Sequence, residues 1–212
     1  MKNKDLLVKV LHVGELAACC YLVGEKNGDG IIIDPGDEAG RIIKSVGLMG
    51  LKVKYIVLTH SHADHIGALD EVRAKFTEAE CLIHAADAPA LERPSLNLSL
   101  FIGRGFTCKP AGRLLADGDT FDVAGFTVNV IHVPGHSPGG ICLYVPDAGV
   151  AFTGDVLFAG GIGRTDFPGG DTEQLLTGIR TKLLTLPPQT VVYPGHGPSS
   201  TIGDERDNNP FL

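Results

Sequence analysis

The sequence predicts an α+β fold: two mixed β-sheets packed face to face, with helices on the outer faces. Three observations lead there. Short apolar runs that read as strands occur in both halves of the chain. Few stretches carry the spacing of an amphipathic helix, and they are interspersed among the strands. The 212 residues, 43% hydrophobic and 20% charged, suffice for a sizeable core and are most simply one domain spanning 1–212.

Leu6–Val10, Cys20–Val23 and Ile31–Asp34 read as the first strands, the last two joined by the turn formers Lys26-Asn27-Gly28-Asp29-Gly30. After Asp34-Pro35-Gly36-Asp37, a helix from Asp37 or Glu38 to Val46 carries Ile42, Ile43 and Val46 on one face, with Gly47 and Gly50 to end it. Val53–Leu58 is a strand, followed by a helix over Ile66–Lys75. Cys81–Ile83 is a strand, and a short helix starts at His84 and stops before Pro94. From Arg93 to Arg113 no period emerges, which predicts a loop or irregular helix over the site; loops this long are often functional or mobile. Thr120–Val123, Phe126–Val133, Ile141–Val145 and Val150–Thr153 are strands. Asp171 or Thr172 caps a helix to Leu184 with Leu175, Leu176, Ile179 and Leu183 facing inward. Val191–Tyr193 is the last strand.

Formal net charge is −7 with no Lys/Arg cluster, which argues against nucleic acid as an electrostatically driven partner. The five cysteines, Cys19, Cys20, Cys81, Cys108 and Cys142, form no C-x-x-C pair and lie mostly in apolar runs. A reducing cytoplasm fits them better than a disulfide framework. The charged start, Met1-Lys2-Asn3-Lys4-Asp5, is no signal peptide, and no segment is long enough to span a bilayer.

Function is concentrated in Thr59-His60-Ser61-His62-Ala63-Asp64-His65-Ile66-Gly67, where three histidines and an aspartate fall within six positions. Imidazole and carboxylate suit zinc, iron and manganese. The stretch lies on a strand-to-helix turn, the edge at which α/β folds tend to hold ligands. If the chain stays extended past Leu58, His60 and His62 point to one side and can share an ion. Asp64 and His65, entering the helix, point elsewhere, towards a second ion about 3.5–4 Å from the first. His132 shares a strand with the approach to His136 and reads as packing or support; His84 reads as a structural hydrogen-bonding residue and His12 as a loop residue.

His60-x-His62-x-Asp64-His65 resembles the signature of the metallo-β-lactamase superfamily. Matching residues recur later in the expected order: His136 in Pro134-Gly135-His136-Ser137-Pro138, Asp155 in Thr153-Gly154-Asp155-Val156, and His196 in Tyr193-Pro194-Gly195-His196-Gly197. Each follows a predicted strand, so all gather at one edge of the sandwich. The resemblance implies the αββα metallo-β-lactamase fold. It implies that His60, His62 and His136 hold one ion and Asp64, His65 and His196 a second. Asp155 and a hydroxide would bridge the two. The cofactors would be two divalent ions, zinc first, with iron or manganese as alternatives. Such ions lower the pKa of bound water from 15.7 towards about 7, and Asp64 would orient the nucleophile. Asp64 and Asp155 are thus the candidate catalytic carboxylates. A bridging Asp separates the chain from typical true β-lactamases.

Gly161–Gly170, with Arg164-Thr165-Asp166-Phe167, and the stretch Tyr193–Arg206 resemble small bacterial glyoxalase II-like proteins, or hydroxyacylglutathione hydrolases. The resemblance implies hydrolysis of a small-molecule thioester such as S-D-lactoylglutathione. A thiolate, from a thiol of pKa about 8.5, leaves without a dedicated acid. Arg164 either pairs with Asp166 to fix its loop or touches substrate; Tyr144 and Tyr193 are substrate or acid candidates by position only. Longer glyoxalase II enzymes carry a C-terminal helical domain that supplies much of the glutathione site. Here 16 residues follow His196, and those groups have no counterpart. Two alternatives share the motif: a persulfide dioxygenase with one iron on His60, His136 and Asp155, and a lactonase. Oligomeric state is open.

Overall fold

Strand β2, Ala18–Gly24, is buried along its whole length. Its residues alternate between two apolar clusters: Cys19, Tyr21 and Val23 join one, Ala18, Cys20 and Leu22 the other. A strand apolar on both faces needs cover on both faces, so it lies inside a layered structure. The computed structural model describes residues 6–212, and the charged start predicted not to be a signal peptide lies outside them.

The first sheet runs β1 (Leu7–Val13), β2, β3 (Asp29–Ile33), β4 (Lys52–Val57), β5 (Glu80–His84), β6 (Arg113–Leu115). Its first two pairings are antiparallel and the remaining three parallel. The second is built from β7 (Thr120–Val123), β8 (Phe126–His132), β9 (Ile141–Val145), β10 (Val150–Gly154), β13 (Val191–Pro194) and β14 (Ser200–Thr201). Its spatial order is β14-β13-β10-β9-β8-β7, with β10 and β13 parallel and the rest antiparallel. A separate hairpin joins β11 (Leu157–Phe158) to β12 (Gly161–Ile162).

The sheets enclose a core in which Phe152 of β10 meets Tyr21 edge-on at 5.1 Å and stacks on Tyr193 at 5.3 Å. Helices α1 (Ala39–Met49) and α3 (Leu69–Lys75) cover the outer face of the first sheet, burying Ile42, Val46, Leu69 and Val72. Helix α4 (Thr172–Gly178) covers the second with Leu175, and the π turn that continues it over Ile179–Leu183 adds Ile179 and Leu183. The observed architecture is the expected α+β sandwich. No helix among the described residues is long and apolar enough to cross a membrane.

Where details differ, tertiary contact explains them. The helix expected over Ile66–Lys75 is two pieces, α2 (Ala63–Ile66) and α3, broken at Gly67-Ala68. There the backbone presses on the loop after β3: Ala68 N–H donates to Pro35 O at 3.0 Å, and a methyl on Gly67 would run into Gly36 O. Gly47 lies within α1, which ends at Gly50 in the left-handed region, φ 67°. The helix expected from His84 is a 3₁₀ turn over Ala88–Glu92. Asp171 caps α4 by accepting from Gln174 N–H at 3.0 Å. His12 lies on β1, not in a loop.

Phe152→Ala removes the largest fully buried side chain from the seam between the sheets. It is expected to cost about 3–5 kcal/mol of stability, read as a shift in the urea unfolding midpoint at unchanged slope.

Candidate metal centre

Strands from both sheets end at one edge. Past β4 the chain bends at Thr59 and is extended at His62 (φ −68°, ψ 149°), and the rings of His60 and His62 lie together, centroids 4.6 Å apart. Helix α2 then begins and carries Asp64 and His65 round. His136 sits on the loop after β8, Asp155 follows β10 directly, and His196 follows β13. Backbone bonds stitch this edge together: Ile141 N–H to Thr59 O at 2.9 Å, Gly195 N–H to Gly154 O at 2.7 Å and Cys19 N–H to Gly195 O at 2.7 Å. Gly195 has no room for a side chain, since a Cβ there would strike the Asp155 carboxylate.

Two triads of donors result. One nitrogen each from His60, His62 and His136 lie within 4.8 Å of one another, as do donor atoms of Asp64, His65 and His196. Asp155 stands between them. Its Oδ2 is 3.6 Å from His136 Nε2 and 3.6 Å from His196 Nε2, and its Oδ1 is 3.4 Å from His65 Nε2. All seven residues predicted as ligands converge here.

The rings are oriented from behind. His136 Nδ1 lies 2.8 Å from Arg164 O and His196 Nδ1 3.1 Å from Leu16 O, so each Nδ1–H donates to a carbonyl and Nε2 keeps its lone pair. His65 Nδ1–H donates to Asp34 Oδ2 at 3.0 Å. That carboxylate also accepts from Thr59 N–H at 2.7 Å and Thr59 Oγ–H at 2.6 Å, and Thr59 Oγ1 lies 3.1 Å from His60 Nδ1. Asp34 is close enough to His60 and His65 to form a third donor group, but its oxygens are already engaged by these bonds.

A second buried carboxylate ties together the loops of the first triad. Asp87 Oδ2 accepts from Ser61 N–H at 3.0 Å, Ser61 Oγ–H at 3.2 Å and Ser137 Oγ–H at 2.9 Å; Oδ1 accepts from Gly139 N–H at 2.6 Å. Ser61 lies between His60 and His62, and Ser137 follows His136. Neither Asp34 nor Asp87 was among the residues singled out in the sequence. The available signals were Asp34-Pro35-Gly36 at a strand end and an aspartate in an otherwise apolar turn.

A metal fits this constellation on two grounds. His60 Nε2, His136 Nε2 and Asp155 Oδ1 are buried without a hydrogen-bond partner, an expensive arrangement unless something else meets them. The donor set, imidazole and carboxylate in reach of one another, is what first-row divalent ions take. Electrostatics agree. Burial, reinforced by the neighbouring imidazoles, pushes His60 well below the ordinary histidine range, and burial with His136 lowers His62 to about 3, so both rings are neutral donors. Burial opposes charge on His65, yet Asp64, Asp155 and Asp34 raise it to about 10. Burial likewise works against an ionised Asp64, but His65 and His196 hold it below the usual carboxylate range. The carboxylates demand positive charge beside them.

Above the triads opens a cavity of about 470 Å³, whose walls include Leu98, Phe101 and Ile102 from the 93–113 segment and Phe158 and Phe167 opposite. Arg164 also lines it, and it is tied to Asp166 by two 2.7 Å bonds while its guanidinium sits 4.0 Å over the Phe167 ring. Arg164 therefore makes the expected pair with Asp166, and its side chain also lines the cavity. Tyr144 is a correction. It sits on β9 between Leu143 and Val145, which face the inter-sheet core, so it shares the outer face with Cys142 and is absent from the cavity wall. Tyr193 also lies in the sheet, packed against Phe152. His84 and His132 stack at 3.9 Å, and His132 Nε2 reaches Pro138 O at 2.9 Å, supporting the His136 loop.

Residues 13–196 match the family described as the metallo-beta-lactamase superfamily. A probable metallo-hydrolase, YqgX, of Bacillus subtilis is 44% identical over 203 residues, covering 95% of each chain. The hydroxyacylglutathione hydrolase GloC of Haemophilus influenzae is 37% identical and covers 97% of each. Among solved structures, the BLEG-1 B3 metallo-beta-lactamase superposes with a TM-score of 0.93 at 42% identity, covering 97% of this chain and 99% of its own. TTHA1623 in a di-iron-bound form gives 0.85 at 37%, covering 96% and 100%.

Asp87→Asn replaces an acceptor of four bonds with a group that must turn an N–H towards some of those donors. The variant is expected to fold, to lose about 1–3 kcal/mol of stability, and to hold metal about 10- to 100-fold more weakly in competition with a chelator. An unchanged metal affinity would show that the link between the two loops is only structural.

Proposed function

This chain belongs to the metallo-beta-lactamase superfamily, and from that premise we propose that it is a dinuclear thioester hydrolase of the glyoxalase II kind, acting on S-D-lactoylglutathione or a related acyl thioester. The observation that carries the reading is the pair of donor triads with Asp155 between them. In this proposal His60, His62 and His136 hold one divalent ion, Asp64, His65 and His196 the other, and Asp155 both. Zinc, iron and manganese all suit these donors. Bound there, the ions supply an ionised water near neutral pH and positive charge for the developing oxyanion.

The chain's own residues do the rest. Asp64, with one side to solvent and His196 Nε2 3.2 Å from its Oδ2, would accept a hydrogen bond from the attacking water and so orient it. The carbonyls of Arg164 and Leu16 keep the Nδ1 protons of His136 and His196 away from the reacting side. No acid is needed at the sulfur, because a thiol of pKa about 8.5 is a good leaving group. Five free, buried cysteines support a reducing cytoplasm as the setting.

The test is metal analysis of the purified protein joined to S-D-lactoylglutathione turnover with and without oxygen. Two ions per chain and an oxygen-independent rate are expected, with Asp155→Ala reducing turnover to background while circular dichroism stays unchanged. One iron per chain and oxygen consumption with glutathione persulfide would make it a dioxygenase instead. Turnover confined to lactones or β-lactams would move it to another hydrolase branch.

A further inference from the structure

Building on the thioesterase reading, we infer that the preferred substrate carries an apolar acyl chain, which lies against Phe101 and Ile102 at the mouth of the metal cavity. The first observation is where the exposed apolar side chains are. Phe101 is 69% exposed, Leu16 57% and Ile102 44%, and all three line this one cavity. Scattered exposed leucines mean little, but a group of them at the rim of a reactive cleft marks a binding surface. Leu98, Phe158 and Phe167 line the same cavity, and its volume of about 470 Å³ falls within the range of small-molecule pockets.

The second observation is that the loop is built to present these groups. Asn97 and Ser99, both fully buried, fasten its base: Asn97 Nδ2–H and Ser99 Oγ–H donate to Phe106 O at 3.0 Å, and Ser99 N–H donates to Asn97 Oδ1 at 2.9 Å. Leu98, Gly103 and Gly105 adopt positive φ, which folds the tip back on itself. Asn97 and Ser99 are thus turned in, while Leu100, Phe101 and Ile102 at the tip are left exposed.

The third is charge. Glutathione conjugates carry two carboxylates. Of the described residues lining this cavity and the one adjoining it, the only cations besides the metal-centre histidines are Arg164 and Arg104. Arg164 is held by Asp166 through two 2.7 Å bonds and Arg104 by Asp37 at 3.1 Å. Glu15, on the wall of the adjoining cavity, adds a negative charge nearby. An uncharged apolar chain meets complementary surface here; the carboxylates of a glutathione carrier meet arginines already held in ion pairs.

The experiment uses the metal-loaded full chain and acyl thioesters of N-acetylcysteamine from acetyl to octanoyl, with S-D-lactoylglutathione alongside. A fully buried methylene is worth about fourfold. From acetyl to hexanoyl, kcat/KM is expected to rise at least about tenfold and to pass that of S-D-lactoylglutathione. Phe101→Ala should shrink the hexanoyl-to-acetyl ratio about fivefold, with Phe101→Leu restoring much of it. An independent readout is calorimetric binding of a non-cleavable hexanoyl ketone analogue, expected to weaken about five- to tenfold in Phe101→Ala. A flat chain-length series, or S-D-lactoylglutathione as the best substrate, overturns this inference and leaves the thioesterase standing. Failure of every thioester, including S-D-lactoylglutathione, removes the thioesterase reading and this inference with it.

Discussion

The carboxylate of Asp34, 1% exposed, decides how the cleft is arranged. A buried anion must be met by donors, and here the donors are Thr59 and His65. Through His65 it fixes one ring of the second triad; through Thr59 Oγ1 it reaches His60, a ring of the first. One acceptor therefore aligns both groups. Its own position is set by the fold: it follows β3 directly in the left-handed region, φ 51°, and the two residues after it press on α2 and the turn beyond, with Gly36 so close that a methyl there would strike Asp64 O. Packing of backbone on backbone places the anion, and the anion then places the imidazoles.

The layered architecture was legible because its signals are local. Apolar runs such as Ile31–Ile33 and Ile141–Val145 name strands directly, and Leu175 and Ile179 name the inner face of α4. The cluster from His60 to His65 was legible because four donors in six positions have few other uses. The outer support was not. Asp34 is bonded to residues 25 and 31 positions away, and Asp87 to residues 26, 50 and 52 positions away. A lone aspartate at a strand end or in a turn looks the same whether its partners are water or a distant serine.

Other misreadings have similar causes. Tyr144 alternates correctly with its neighbours, but alternation alone does not say which side of a strand faces the cleft. The break at Gly67 is dictated by a loop some 30 residues earlier, so the helical period of Ile66–Lys75 was real yet interrupted. Strands of two or three residues, such as β6, β11 and β14, are too short to carry a period at all. The 93–113 segment resisted assignment for a better reason: its order comes from buried side-chain bonds of Asn97 and Ser99, not from a repeating backbone pattern.

Each triad takes donors from both sheets. His60 and His62 come from the first sheet and His136 from the second; Asp64 and His65 come from the first and His196 from the second. Neither triad is complete within a single layer. The gap between donors is thus a gauge of how one layer sits over the other, and sliding the layers by a fraction of an ångström would detune both triads together. Selection for a particular ion can in that way operate on aromatic packing deep in the sandwich, such as the contact of Phe152 with Tyr21, without altering any residue that touches the ion.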